Sequence, residues 1–443
     1  MFITILPAAK ELCAQTYFPP PDSIGGWRAI NDPATVRGRT GIDLALMDEA
    51  LEFAAKTSKH GGLLVARHGW LVYERYFGKA HREATPNHAS IGKAFTSVAA
   101  GILLRERPDL FPHGLDQKVF GKSYFPAHVF PLSDPRKADI KLGHLLAMTA
   151  GIRGNNPGMI RGLEVRLDPA GPDGWPACAD DMAAGRTGGP MNTTTLWCAP
   201  GEGYSYATSS PHLVSMMIRH ITGKELEEYV REKLAAPMGW ERWGWGYKNS
   251  PLRHTCGGGG IAVRPTDMLR FGYLLLREGR WGNSRLVPAG YVHMCRRPSP
   301  YNPHFDYSLQ FDVNGNGRWR GLPRDAFWKT GSGGHILYVI PSLDLVIYRM
   351  GGRDDQYDQA NTGVAPLAGS TFRYDGSREG WRAGTPLSGE PLTAGHDRGG
   401  PQKKPGAVVS REGGTQISQE EIAAETLRLV LAALSTRTRA TDR

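Results

Sequence analysis

Ser90 is followed three residues later by Lys93, the only serine and lysine at that spacing in the chain. The pair opens an apolar run, Ala94 to Leu104, that reads as a helix. Residues three apart share one helix face, so the hydroxyl and the amine would lie side by side at the helix start. A serine is a weak nucleophile at neutral pH and needs an adjacent base. Lysine can serve once burial or a positive neighbour lowers its pKa. The positive end of the helix would also stabilise negative charge developing on the serine oxygen. The chemistry within reach is covalent acyl transfer, although a capping serine beside a surface lysine gives the same pattern.

Two further tripeptides narrow this choice. Lys329-Thr330-Gly331 is the only K-T-G in the chain. It runs into Ser332-Gly333-Gly334 and then two β-rich stretches, His335 to Ile340 and Leu343 to Met350. Tyr206-Ala207-Thr208 follows a Pro200-Gly201-Glu202-Gly203 turn. The order S-x-x-K, tyrosine, K-T-G is that of serine acyl-transfer enzymes. With these motifs, and with stretches such as Leu142 to Ile152 and Gly259 to Gly272, the chain from Asp43 to Met350 resembles the β-lactamase-related serine hydrolases. That group includes class C β-lactamases, D-alanyl-D-alanine carboxypeptidases and family VIII-type esterases.

The resemblance implies an α/β fold: an antiparallel β-sheet flanked by helices, with an inserted, mostly helical domain. Residues 41–89 and 302–443 would form the sheet domain, with an irregular insertion over 351–416, and 90–301 the helical domain. Residues 1–40 would be an extended lead-in. By the same resemblance Ser90 is the nucleophile, and Lys93 or Tyr206, or the two sharing a proton, is the base. The backbone amides of Ser90 and Ser332 form the oxyanion hole, and Lys329, Thr330, Gly331 and Thr208 bind substrate. Two cations near one phenol favour phenolate, which makes Tyr206 a credible base. No cofactor or metal is implied.

Thr208 departs from the pattern, because the tyrosine motif of the β-lactamases and peptidases usually ends in asparagine. A hydroxyl cannot replace both the donor and the acceptor of an amide. Turnover of β-lactams is therefore in doubt, and a small ester or amide becomes the expected substrate. K-T-G pulls the other way, toward substrates bearing a carboxylate that Lys329 and Thr330 would hold. Three rivals remain. One is a D-alanyl-D-alanine carboxypeptidase or β-lactamase, and another a catalytically silent penicillin-binding-type sensor. The third is an α/β-hydrolase with Ser205 as nucleophile in Gly203-Tyr204-Ser205-Tyr206-Ala207, which approximates a G-x-S-x-G elbow. The 14 histidines are scattered, with no H-E-x-x-H. His144, His254 and His335, near the motifs, read as packed residues, and Asp180-Asp181 as a solvated pair.

The elements that must position these residues are partly legible. Ile42 to Thr57 has helical spacing, and Gly62 to Phe77 reads as a hairpin turning at His68-Gly69. Tyr307 to Val313 and Trp328 onward restore β character. Glu420 to Leu434 is an amphipathic helix expected to cover the sheet. Arg153 to Ala199, rich in Gly, Pro, Asp and Asn, is expected to line one wall of the site.

The chain has 443 residues, 40% of them hydrophobic, and a net charge of +10. That is ample material for a core, with no basic–aromatic stripe of the kind nucleic acids require. No run is long enough to span a bilayer. The expected partner is a small-molecule substrate. Met1 to Gln15 resembles the tail of a signal peptide without its basic start, which would place the protein in the periplasm or outside the cell; otherwise the cytoplasm is expected. Among five cysteines, Cys178 and Cys198 bracket a loop-rich segment and could pair.

Overall fold

The hairpin before the nucleophile motif and the strands around K-T-G lie more than two hundred residues apart in sequence, yet they form one sheet. The computed structural model describes residues 17–125, 127–132, 134–152, 160–162, 196–246, 255–358, 361–364, 409–410 and 416–434. The sheet strands are β1 (Gly61–Arg67), β2 (Trp70–Phe77), β3 (Tyr307–Ser308), β4 (Phe311–Val313), β5 (Phe327–Gly331), β6 (His335–Ile340) and β7 (Leu345–Met350). Their spatial order is β2-β1-β7-β6-β5-β4-β3, and every neighbouring pair is antiparallel. The first hairpin joins the late strands through β1 and β7, in register from Gly62↔Met350 to Arg67↔Leu345. Its turn, His68-Gly69, has positive φ at both residues (53° and 74°), the twist that suits a tight hairpin.

β6 and β7 are buried along their whole length, which is why they read as unbroken apolar runs. Alternate residues serve two cores. Ile336, Tyr338, Ile340, Leu345 and Ile347 face one layer, while Leu337, Val339, Val346 and Tyr348 face the other. The first layer is closed by α2 (Leu44–Lys56), through Met47 and Ala50, and by the C-terminal α6 (Gln419–Ala432), through Ile422, Leu427 and Val430. Asp43 caps α2 by accepting from the Ala45 amide, and Ser418 and Glu421 form a reciprocal capping box on α6. The second layer holds α3 (Gly92–Glu106), α4 (Ser209–Thr222) and α5 (Pro265–Leu276), the last packed directly on β6 and β7. Phe95 of α3 stacks on Phe271 of α5 with ring centroids 3.8 Å apart.

Three expectations need correction. The lead-in is not wholly extended, because Pro33–Thr40 forms a helix (α1) capped by Asp32, with proline in its first turn. The β-rich run expected from Leu343 begins at Leu345: Pro341–Leu343 is a 3-10 turn, closed by Asp344 at φ 45°. Cys198 is a free, buried thiol, so the Cys178–Cys198 disulfide does not form; Cys256 is disulfide-bonded. Residues 1–16, His254, Asp180-Asp181, Cys178 and most of 351–416 lie outside the described residues. Among the described residues no helix is long and apolar enough to cross a membrane.

Candidate active site

Ser90 sits in a 3-10 turn, Ala89–Ile91, that runs directly into α3. Ala89 before it is held at φ 48°, a conformation that non-glycine residues adopt only when their surroundings impose it. Asn87 Oδ1 accepts from the Ala89 amide (2.9 Å) and Gly260 N donates to the Ala89 carbonyl (3.2 Å). Lys93, one turn later and fully buried, brings Nζ to 2.9 Å from Ser90 Oγ. The spacing predicted from sequence is thus realised as a contact. Lys93 Nζ also donates to the Gly258 carbonyl at 2.5 Å. This second anchor comes from the run Gly257 to Gly260, which crosses α3 where side chains would not fit: a Cβ on Gly92 would lie 2.8 Å from Gly259 Cα.

Tyr206 stands between the two lysines. Lys93 Nζ and Lys329 Nζ each lie 5.1 Å from the centroid of its ring, and Lys329 Nζ donates to its hydroxyl at 3.3 Å. Burial pushes the Tyr206 pKa up, but the charges of Lys329 and Lys93, with a hydrogen bond from Ser90, outweigh it and bring the phenol below its ordinary value. Lys329, on β5, shares the face of Phe327 toward the helical layer and is fully buried. A residue not anticipated from sequence holds it there: Tyr307 accepts from Lys329 Nζ at 2.8 Å and donates to Gln310 Oε1 at 3.0 Å. Burial, and next the Tyr206 charge, raise the Tyr307 pKa, so Tyr307 keeps its proton. No local sequence signal marks Tyr307, because its role depends on strand pairing. The glycine run 257–260 was the one available signal for the Lys93 anchor.

Ser90, Tyr206, Thr208, Thr330 and Ser332 are all partly exposed, whereas both lysines are enclosed. The hydroxyls of Ser90 and Tyr206 are thus backed by two buried lysines. The amides of Ser90 and Ser332 make no hydrogen bond among the described residues. K-T-G approaches the Ser90 turn so closely that a Cβ on Gly331 would lie 2.3 Å from the His88 carbonyl oxygen. Gly331→Ala is expected to lower turnover about 100-fold, the cost of an ångström-scale shift between reacting groups. Steady-state rates with circular dichroism as a folding control check it.

Ser205 is buried within a short strand, Gly203–Ser205, and its amide donates to the Met148 carbonyl at 3.0 Å. It is therefore not presented to solvent as an elbow nucleophile. Ile160–Gly162 pairs with that strand, which brings part of the long loop beside the tyrosine motif. His144 and His335 are packed residues, the latter accepting from the Gly351 amide at 3.0 Å. No group of three potential metal ligands occurs among the described residues.

The β-lactamase family model matches residues 51–370, so the chain belongs to the β-lactamase family, whose members are mostly serine hydrolases acting on ester or amide bonds. No curated protein matches the sequence. Solved structures share the fold at low identity. A Bacillus anthracis protein provisionally named a 6-aminohexanoate-dimer hydrolase is 22% identical, with TM-score 0.54, covering 75% of this chain and 84% of that one. EstCE1, a hydrolase with promiscuous acyltransferase activity, is 15% identical, with TM-score 0.53, covering 70% and 93%. Simvastatin synthase from Aspergillus terreus is 16% identical, with TM-score 0.51, covering 69% and 92%.

Proposed function

We propose that the protein is a carboxylesterase-like serine hydrolase that forms an acyl-enzyme on Ser90 from a small ester or amide. The observation that carries this reading is the convergence of Ser90, Lys93, Tyr206 and Lys329 in one hydrogen-bonded cluster. In the first step Ser90 Oγ attacks the substrate carbonyl carbon. Its proton passes to Lys93 or Tyr206, or to the two sharing it. The tetrahedral oxyanion lies between the Ser90 and Ser332 amides. Collapse breaks the bond to the alcohol or amine, which leaves with that proton. Water then attacks the acyl carbon, gives up its proton by the same route, and frees Ser90. Tyr307 holds the Lys329 ammonium against Tyr206, so the phenol can act as a base at a lower pH than it would alone.

The ester reading is preferred over a β-lactamase or D-alanyl-D-alanine carboxypeptidase because Thr208 stands where an amide would be needed. A short-chain p-nitrophenyl ester, a cephalosporin and a D-alanyl-D-alanine peptide, assayed side by side, test it. Fastest turnover of the ester is expected. Preferential cleavage of either of the others would overturn the substrate assignment, and a stable adduct without turnover would indicate a silent sensor.

The charge of Lys329 also gives the pH dependence a direction. With Tyr206 as the base, the phenolate is the active form and is present above the Tyr206 pKa. Lys329→Met removes a charge that lowers that pKa, so the pKa rises and the acidic limb of kcat/KM moves to higher pH. A pH–rate profile in which that limb stays in place would remove Tyr206 from the base role.

A further inference from the structure

The two amides proposed to hold the oxyanion lie on separate chain segments, Ser90 before α3 and Ser332 after β5. Their separation is therefore a tertiary property, and one buried side chain spans it. Gln356 lies in the 3-10 turn Asp354–Tyr357, just beyond β7. Its Nε2 donates to the Asn87 carbonyl at 2.8 Å and to the Ser332 carbonyl at 2.9 Å. Its Oε1 accepts from the Arg353 amide at 3.0 Å, and its backbone carbonyl accepts from the Asn87 amide at 2.7 Å. Asn87 in turn holds Ala89, the strained residue before the nucleophile. Both donors of one amide thus tie the approach to Ser90 to the peptide that follows Ser332. Gly333 is needed for this contact: at φ 90°, a Cβ there would lie 2.1 Å from Gln356 Oε1.

A second amide acts from the other layer. Gln419, in the first turn of α6, donates Nε2 to the Gly331 carbonyl at 2.8 Å. That carbonyl belongs to the same peptide unit as the Ser332 N–H. A donor on the oxygen of a peptide fixes its plane and polarises its N–H.

We infer that Gln356 is a positioning residue that sets the spacing and aim of the Ser90 and Ser332 amides, with Gln419 orienting the Ser332 amide from behind. This rests on the acyl-transfer reading above. Oxyanion donors act only within about 2.7–3.1 Å of the charge that develops, so a small change in spacing is felt mainly in the transition state.

The test uses Gln356→Met, which keeps length but removes both donors, and Gln356→Asn, whose amide is too short to span both carbonyls. Gln419→Met, at a partly exposed helix start, serves as a third variant that leaves the core intact. Active sites are titrated with a fluorophosphonate, so that the rate of p-nitrophenyl acetate cleavage is expressed per competent site. Affinity for phenylboronic acid, which forms a tetrahedral adduct on serine, is measured in parallel. The expected result is a fall of about 30- to 100-fold in rate per site for the Gln356 variants and about 3- to 10-fold for Gln419→Met. Boronate affinity should fall by the same factors and KM should change little. A purely structural role would lower Tm and the number of competent sites but leave both per-site quantities unchanged, and that outcome overturns the proposal. A wild type whose ester turnover survives Ser90→Ala overturns the acyl-transfer reading and this inference with it.

Discussion

Ser90→Ala is expected to lower kcat/KM for a short-chain p-nitrophenyl ester by at least about 10⁴-fold. It also abolishes the acyl adduct seen by intact mass spectrometry. The magnitude follows from losing the covalent route altogether, which leaves only whatever the remaining oxyanion donors and substrate binding contribute. The variant should fold normally. Ser90 is partly exposed, and it contributes a hydroxyl to the cluster without packing in either core. Turnover surviving this substitution would move the nucleophile elsewhere, and Ser205 is then the residue to test despite its burial.

Lys93→Met should cost about 10²- to 10⁴-fold in kcat/KM, the range for removing a positioned proton carrier. Here the loss is not confounded by unfolding. Lys93 is wholly enclosed, and a neutral side chain of similar length relieves the cost of burying its amine. Thermal unfolding should therefore show a Tm equal to or above that of the wild type while turnover collapses. A variant that kept its activity would assign the base role to Tyr206 alone. In that case Tyr206→Phe, which removes the hydroxyl bonded by Lys329 and Ser90, should carry the whole loss.

Much of this site was legible because its parts are local. Ser90 and Lys93 meet through helix geometry alone, and K-T-G with the β-rich stretches after it is a local pattern. The strands β6 and β7 were readable as apolar runs, and the closing helix α6 as an amphipathic pattern. Helix α1 was missed because its exposed, weakly patterned sequence offers only the Asp32 cap and Pro33 as signals. The disulfide expectation failed for a related reason. Cysteine spacing does not encode the distance between two sulfurs, and Cys198 lies buried as a free thiol.

By itself the sequence determined the family: a serine and a lysine one helical turn apart, a tyrosine motif, and a K-T-G strand, in the order found in β-lactamase-related serine hydrolases. It determined these because each motif is set by backbone periodicity or by a side chain that nothing else can replace. Only the tertiary structure decided how the motifs act on one another. Tyr307 on Lys329, Gly258 on Lys93, and Gln356 across the segments that carry Ser90 and Ser332 are contacts between residues 22 to 269 positions apart. Hydrogen bonds act over about 3 Å, and residues so far apart in sequence come within that distance only when the strands have paired and the layers have packed.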